Sequence, residues 1–308
     1  MRLPRLAVVF ALLAPVTAAA DDNLAGLQAE LCGAVDPGAR HSEAVTAVGR
    51  ATTFTDHAAD PDVPWVAKLH VIERDLPDGR VEVQNCGASV IGREWVLTAA
   101  HCLRDLEWKR VEVTVGSLDT DDARAIRSVA VDAVCHSGFE PVSMAGDVAL
   151  LRLLQPLPDD LPFAPLAEVG PLPVEGSRDA LVMAAGWRTR ASGLPDTRLR
   201  RSYGWLDGPS DGGQVAVRPL KGDPNPLCLG ESGSPLIMAG DEEGTMVALL
   251  TSVEVRLAAD GSQSFTRRDC ARGGFRLTFS RIGHYREWID GVVSHCDSMP
   301  WDCEGPAR

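Results

Sequence analysis

A histidine and a serine, each beside a cysteine, are the residues of this chain best suited to chemistry. His101 closes the segment Leu97-Thr98-Ala99-Ala100-His101-Cys102, and Ser232 lies within Cys228-Leu229-Gly230-Glu231-Ser232-Gly233-Ser234-Pro235. A serine hydroxyl is a poor nucleophile until a neighbouring base takes its proton, and the base in turn needs an acid to orient it. Asp147, in Gly146-Asp147-Val148-Ala149-Leu150-Leu151, stands directly before an apolar run that can bury a carboxylate at a strand edge. Alone, an aspartate in that place reads as a turn residue. Between the other two segments it becomes the third candidate, and the chemistry indicated is nucleophilic acyl transfer.

These residues must be held by the elements around them. From residue 65 onward, short runs of Val, Ile and Leu alternate with turn residues, at 65–72, 87–91, 95–98, 110–115, 126–134 and 148–153. Such runs predict strands, and Asp78-Gly79 between two runs suits a hairpin turn. Pro156, Pro158, Pro162, Pro165, Pro171 and Pro173 then predict a connecting segment, because proline removes ladder donors. Strand patterns resume at 180–187, 215–217, 234–238, 246–253 and 275–280. A helix is expected over 283–294, with Tyr285, Trp288, Ile289 and Val292 at helical spacing. The expectation is all-β: two strand-rich halves, a connector and one terminal helix.

Bulk properties narrow the function classes. The 308 residues carry a formal net charge of -13, which disfavours nucleic acid and anionic membranes as partners. Residues 1–20 have the form of a secretory signal: Arg2 and Arg5, an apolar run from Leu6 to Leu13, and Ala18-Ala19-Ala20 before Asp21. That run is too short to span a bilayer. Export fits eight cysteines and the absence of a Cys-x-x-Cys pair: disulfides, with no zinc or redox motif. The expected location is secreted or periplasmic. Residues 21–50 have weak periodicity and read as a pro-segment or an N-terminal arm.

With those residues in view, the chain resembles the chymotrypsin/trypsin family of serine peptidases. The resemblance rests on the Ala-Ala-His-Cys, Asp-Val-Ala-Leu-Leu and Gly-Glu-Ser-Gly-Ser-Pro segments in the order His, Asp, Ser. Asn85-Cys86-Gly87, Gly186-Trp187, Phe279-Ser280-Arg281-Ile282 and Trp288-Ile289 add to it. It covers about residues 51–294. It implies two six-stranded antiparallel β-barrels, about 51–155 and 175–281, with the active site in the cleft between them, a C-terminal helix, and a tail over 295–308. It implies His101 as general base and acid, Asp147 as its orienting carboxylate, Ser232 as nucleophile, and the N–H groups of Gly230 and Ser232 as the oxyanion hole. It implies disulfides Cys86–Cys102 and Cys228–Cys270, a protein or peptide substrate, and no cofactor. Cys32, Cys135, Cys296 and Cys303 have no family match. A local Cys296–Cys303 pair would leave Cys32 to tether the N-terminal arm through Cys135, and the sequence alone leaves these pairings open.

Some positions depart from the family. Glu231 replaces the aspartate that usually precedes the nucleophile and pairs with the new N-terminus of a cleaved zymogen. The usual Ile-Val-Gly-Gly start is absent, and Arg50-Ala51 is the best placed processing site. Ser234 stands where many members have glycine. Pro226, followed by Leu227, occupies the pocket-floor position where trypsin-like members carry aspartate, so a trypsin-like preference for Arg or Lys is not expected at that floor. Thr251-Ser252-Val253-Glu254 matches the strand that pairs with substrate backbone; Glu254 either narrows the pocket or restores a negative charge. Counting back from Trp288 puts Leu277 at another pocket wall. Asp119, Asp121 and Asp122 lie where some relatives bind calcium; an acidic turn reads first as solvated, and no metal is expected.

The leading reading is a secreted serine endopeptidase. A rival of another class is an inactive or conditionally inactive homologue that binds a partner, suggested by Glu231 and the altered pocket. An esterase on an α/β-hydrolase fold fits less well: its nucleophile turn reads Gly-x-Ser-x-Gly with the histidine last, whereas Gly230-Glu231-Ser232-Gly233-Ser234 ends in serine and His101 comes first.

Overall fold

In the computed structural model, residues 24–32, 59–75, 81–104, 110–170, 172, 180–188, 196–210, 213–223, 231–254 and 275–304 are described. Seven strands belong to the first half: β1 (Ala29–Leu31), β2 (Val66–Asp75), β3 (Val81–Val90), β4 (Trp95–Thr98), β5 (Arg110–Val115), β6 (Ile126–His136) and β7 (Ala149–Leu153). Six of them run in the order β6-β5-β2-β3-β4-β7, and pairing of β6 with β7 closes the barrel. Its interior is aliphatic: Leu69, Val71, Val90, Val96, Leu97, Val111, Val113, Leu150 and Leu151 are fully buried. Each such side chain contributes about 1.5–3 kcal/mol relative to exposure.

The second half is a closed antiparallel barrel of β8 (Leu181–Gly186), β9 (Arg200–Ser210), β10 (Gln214–Pro219), β11 (Pro235–Met238), β12 (Met246–Glu254) and β13 (Arg276–Arg281), in the order β10-β13-β12-β11-β8-β9. Closure removes open sheet edges, which are otherwise templates for aggregation. Val215, Val217, Leu206, Leu236, Leu250, Leu277 and Phe279 fill it. Helix α1 (Ile282–Ser298) follows β13 without a break and crosses back onto the first half. Tyr285, Trp288, Ile289 and Val292 form its buried stripe, within the same apolar cluster as first-barrel residues. The expected helix therefore exists and runs on to Ser298. A short turn, α2 (Pro300–Cys303), follows, joined to α1 by the Cys296–Cys303 disulfide.

The proline-rich connector is ordered by what it buries. Leu157, Leu161 and Ala164 are buried, the Ala164 N–H donates to the Val90 carbonyl at 2.7 Å, and the Met246 N–H donates to the Pro165 carbonyl at 2.7 Å. It thus leans first on β3 and then on β12. A further tie between the halves is Lys68, a buried β2 residue whose ammonium donates to the Asp196 carbonyl at 3.0 Å.

Two elements depart from the sequence pattern. Strand β9 has no counterpart among the expected strands, because Gly204, Gly208 and Pro209 interrupt its apolar alternation. Its ladders to β8 and β10 hold it extended. Strand β1 lies within the arm of weak periodicity and is short; its stability comes from pairing beside β6. The Asp78-Gly79 turn, residues 1–20 and the Arg50-Ala51 bond lie outside the described residues.

Candidate active site

His101 sits in a single 3-10 turn, Ala100–Cys102, at the end of β4. Ala99 and Ala100 are fully buried, so only small side chains fit under the turn. The Cys86–Cys102 disulfide fastens it to β3, and the Thr98 hydroxyl donates to the Gly87 carbonyl at 2.8 Å. The imidazole remains partly open, at 21% exposure, while Asp147 is fully buried.

Asp147 uses both carboxylate oxygens on His101. Oδ1 accepts the His101 backbone N–H at 2.8 Å, and Oδ2 lies 2.7 Å from the ring Nδ1. That arrangement fixes the ring and assigns the proton to Nδ1, leaving Nε2 as the basic nitrogen. Gly146, directly before it, has φ 67°, and a Cβ there would lie 2.6 Å from the Gly138 carbonyl. Only glycine supplies that conformation and that clearance without strain.

Three side chains from the second half hold the loop that carries Asp147. Tyr285 Oη accepts the Gly146 N–H at 3.1 Å, the Ser280 hydroxyl donates to the Asp147 carbonyl at 3.3 Å, and Gln214 Nε2 donates to the Met144 carbonyl at 2.7 Å. Burial pushes the Tyr285 phenol above its ordinary pKa, and the Asp147 charge adds to the rise. The phenol therefore stays neutral. Of these three residues, Tyr285 and Ser280 fall within segments already noted for other reasons. Gln214 carries no sequence signal; only the packing of the two halves reveals its role. His136 lies against Tyr285 and Trp288, with ring centroids 5.3 Å and 5.4 Å away, and burial followed by the proximity of His284 lowers its pKa.

Ser232 occupies a tight turn tied to both barrels. Its carbonyl accepts the Gly87 N–H of β3 at 2.7 Å, the Gly233 N–H donates to the Leu250 carbonyl at 2.6 Å, and the Leu250 N–H donates to the Ser234 carbonyl at 2.9 Å. Gly233 has φ 81°. Cys102 Sγ lies 3.8 Å from His101 Nε2 and 4.0 Å from the Ser232 carbonyl oxygen, so histidine and serine turn flank one disulfide. Among the described residues, no hydrogen bond joins the Ser232 hydroxyl to His101. Such bonds are often long before substrate arrives. Glu231 is 1% exposed. A Cβ on Gly186 would come within 3.4 Å of Glu231 Oε1 and would collide with Ser234 Oγ, so the Gly186-Trp187 pair closes tightly over the turn.

The remaining expected site residues divide into two groups. Ser252 is half-buried on β12 opposite Thr278, and the Glu254 backbone pairs with Arg276. Leu277 is fully buried among the second-barrel residues, in register with Val217 and Val253. Pro226, Leu227, Cys228, Gly230 and Cys270 lie outside the described residues. In the acidic turn, Asp119 pairs with Arg198 at 3.6 Å and Asp122 with Arg124 at 2.6 Å, so both carboxylates face guanidinium groups. Cys32 and Cys135 are joined.

Two closed β-barrels, with a histidine–aspartate pair on one and a serine turn docked from the other, define the class as a chymotrypsin-like fold. The trypsin family model matches residues 53–289, and the chain belongs to that family. Mouse (Mus musculus) neutrophil elastase is 24% identical over 234 residues, covering 71% of this chain and 79% of the relative. Brachyurin of Leptuca pugilator is 27% identical over 209 residues, covering 66% and 85%. Among solved structures, scabies mite inactivated protease paralogue S-D1 superposes with a TM-score of 0.57 at 18% identity, over 75% of this chain and 92% of that one. HL collagenase gives 0.52 at 21% identity, over 80% and 98%. At these identities the two structures establish the shared fold. No helix among the described residues is long and apolar enough to cross a membrane.

Proposed function

We propose that this protein is an exported serine endopeptidase that cleaves peptide bonds through an acyl-enzyme. The observation that carries this reading is the doubly bonded pair of His101 and buried Asp147, with Nε2 outside those bonds and 3.8 Å from Cys102 Sγ, which itself lies 4.0 Å from the Ser232 carbonyl oxygen. Ser232 Oγ attacks the scissile carbonyl as its proton passes to His101 Nε2, and Asp147 stabilises the imidazolium. His101 then returns the proton to the leaving amine, and water releases the acyl group by the same route. The Gly230 and Ser232 N–H groups bind the oxyanion, each worth about 3 to 4 kcal/mol in the transition state. Pro226 at the pocket floor disfavours cleavage after Arg or Lys. Export rests on the signal-like start together with three disulfides among the described residues.

The test is labelling by an alkyl fluorophosphonate. Labelling at Ser232 is expected, with complete loss in Ser232→Ala. A folded, fully processed protein that resists the probe would refute catalysis. The second reading is a binding homologue, suggested by Glu231 in place of the aspartate that usually precedes the nucleophile. An inactivated paralogue shares the fold, so the fold is compatible with both. Labelling combined with cleavage of a broad peptide library separates them in favour of the enzyme.

A further inference from the structure

The N-terminal arm is built into the structure around the histidine and the aspartate. A turn at 24–28 leads into β1, which pairs Ala29–Leu31 with residues 134–136 of β6. The Cys32 N–H donates to the Ala133 carbonyl at 3.0 Å, and the Cys32–Cys135 disulfide makes the attachment covalent. Gln28, with φ 55°, turns its carbonyl toward two donors, the Ser137 N–H at 2.8 Å and Trp288 Nε1 at 3.2 Å. Leu27 packs beside Gly291 of α1, where a Cβ would come within 3.3 Å of its methyl.

Glu30 carries the arm to the chemistry. Its Oε1 lies 2.9 Å from Arg104 Nη2, three residues beyond His101. The Arg104 N–H donates to the Ala100 carbonyl at 2.8 Å, on the turn that holds His101. The other guanidinium nitrogen, Nη1, donates to the Phe139 carbonyl at 3.3 Å, and the guanidinium sits 5.6 Å from the Phe139 ring centre. The Gly138-Phe139 backbone in turn presses on Gly146, beside Asp147. Through Arg104, therefore, one arm residue touches both the turn bearing His101 and the loop bearing Asp147.

We propose that residues 24–32 form a positioning strap for His101 and Asp147, acting through Glu30 and Arg104 and kept with the mature protein by Cys32–Cys135. The strap deepens the peptidase reading and rests on it. A pro-segment that is discarded would not need a covalent bond to the barrel strand leading into the aspartate loop. Glu30 and Arg104 are positioning residues: both are partly exposed, and such pairs add little to global stability. A small displacement of a catalytic group, by contrast, is felt strongly in rate.

Three measurements test this. Intact mass of the mature secreted protein, with and without reductant, should show residues 24–32 present, either in the main chain or as a disulfide-linked fragment. Their loss would overturn the proposal. Alkyl fluorophosphonate labelling of the full-length protein should then show kinact lowered about tenfold in Glu30→Ala, with KI and melting temperature nearly unchanged. Glu30→Gln, which keeps an acceptor for Arg104 and leaves the Arg104 bond to Phe139 in place, should retain most of the wild-type kinact. An unchanged kinact in both Glu30→Ala and Cys32→Ala would overturn it. If the wild-type protein is not labelled at all, the peptidase reading fails instead, and hydrogen exchange judges the strap by itself. Residues 100–104 and 137–147 should exchange faster in Glu30→Ala, and equal exchange would rule the strap out.

Discussion

The two barrels share a strand count and a topology, yet they hold their candidate catalytic residues in different ways. In the first, His101 and Asp147 bond directly to one another, and their turns are braced by the Cys86–Cys102 disulfide and by the N-terminal arm. In the second, Ser232 sits on a turn held by backbone hydrogen bonds, one of them to Gly87 of the first barrel. The aspartate loop, conversely, is held by Tyr285, Ser280 and Gln214 from beyond the connector. Each barrel thus carries candidate catalytic residues whose segments are hydrogen-bonded from the other side of the connector. A shared fold alone does not create a site; the contacts across the cleft do.

The largest expected effect comes from weakening the pair within the first barrel. Asp147→Asn keeps the shape of the carboxylate and removes its charge and its hold on the tautomer. Fluorophosphonate labelling should fall by about 10⁴-fold with the fold intact by circular dichroism. Unaltered labelling would mean that the buried pair is structural and would leave the serine turn as the only element suited to chemistry.

An intermediate effect is expected where the barrels meet. A Cβ on Gly87 would come within 2.8 Å of the Ser234 backbone and would overlap its hydroxyl. Gly87→Ala should cost about 1–3 kcal/mol in thermal or denaturant unfolding and depress labelling as the serine turn shifts. Gly92→Ala, whose Cβ would sit 3.6 Å from Trp95 Cβ, is the matched control and should change neither. Equal behaviour of the two variants would break the argument that the serine turn is placed by the first barrel.

The smallest effect belongs to one strand of the first barrel alone. Burial, with smaller contributions from the Lys68 and Arg127 charges, holds the half-buried His70 at a pKa of about 4, against 6.5 for a free histidine. The unfolded chain therefore takes up this proton first as the pH falls. Stability should decline as the pH is lowered from 6.5 towards 4, and His70→Asn should flatten that decline in urea melts across the window. Labelling at neutral pH should stay as in the wild type, because His70 is neutral there in both states.

Much of the fold was legible because aliphatic runs and turn residues alternate so regularly. Strands β4 and β5 occupy the segments their patterns predict, and the stripe of Tyr285, Trp288, Ile289 and Val292 marks α1. Strand β9 was not legible, since its glycines and proline deny it a local signal and its neighbours alone keep it extended.

By itself, the sequence determined the family, the order of His101, Asp147 and Ser232, and the residue types that can perform acyl transfer. Those are properties of short segments whose meaning survives without neighbours. The tertiary structure alone decided that Gln214, Ser280 and Tyr285 hold the aspartate loop, that Gly87 must be bare beneath the serine turn, and that Glu30 reaches Arg104. Each of these contacts joins residues tens to well over a hundred positions apart, and nothing in the local pattern of either partner encodes the other.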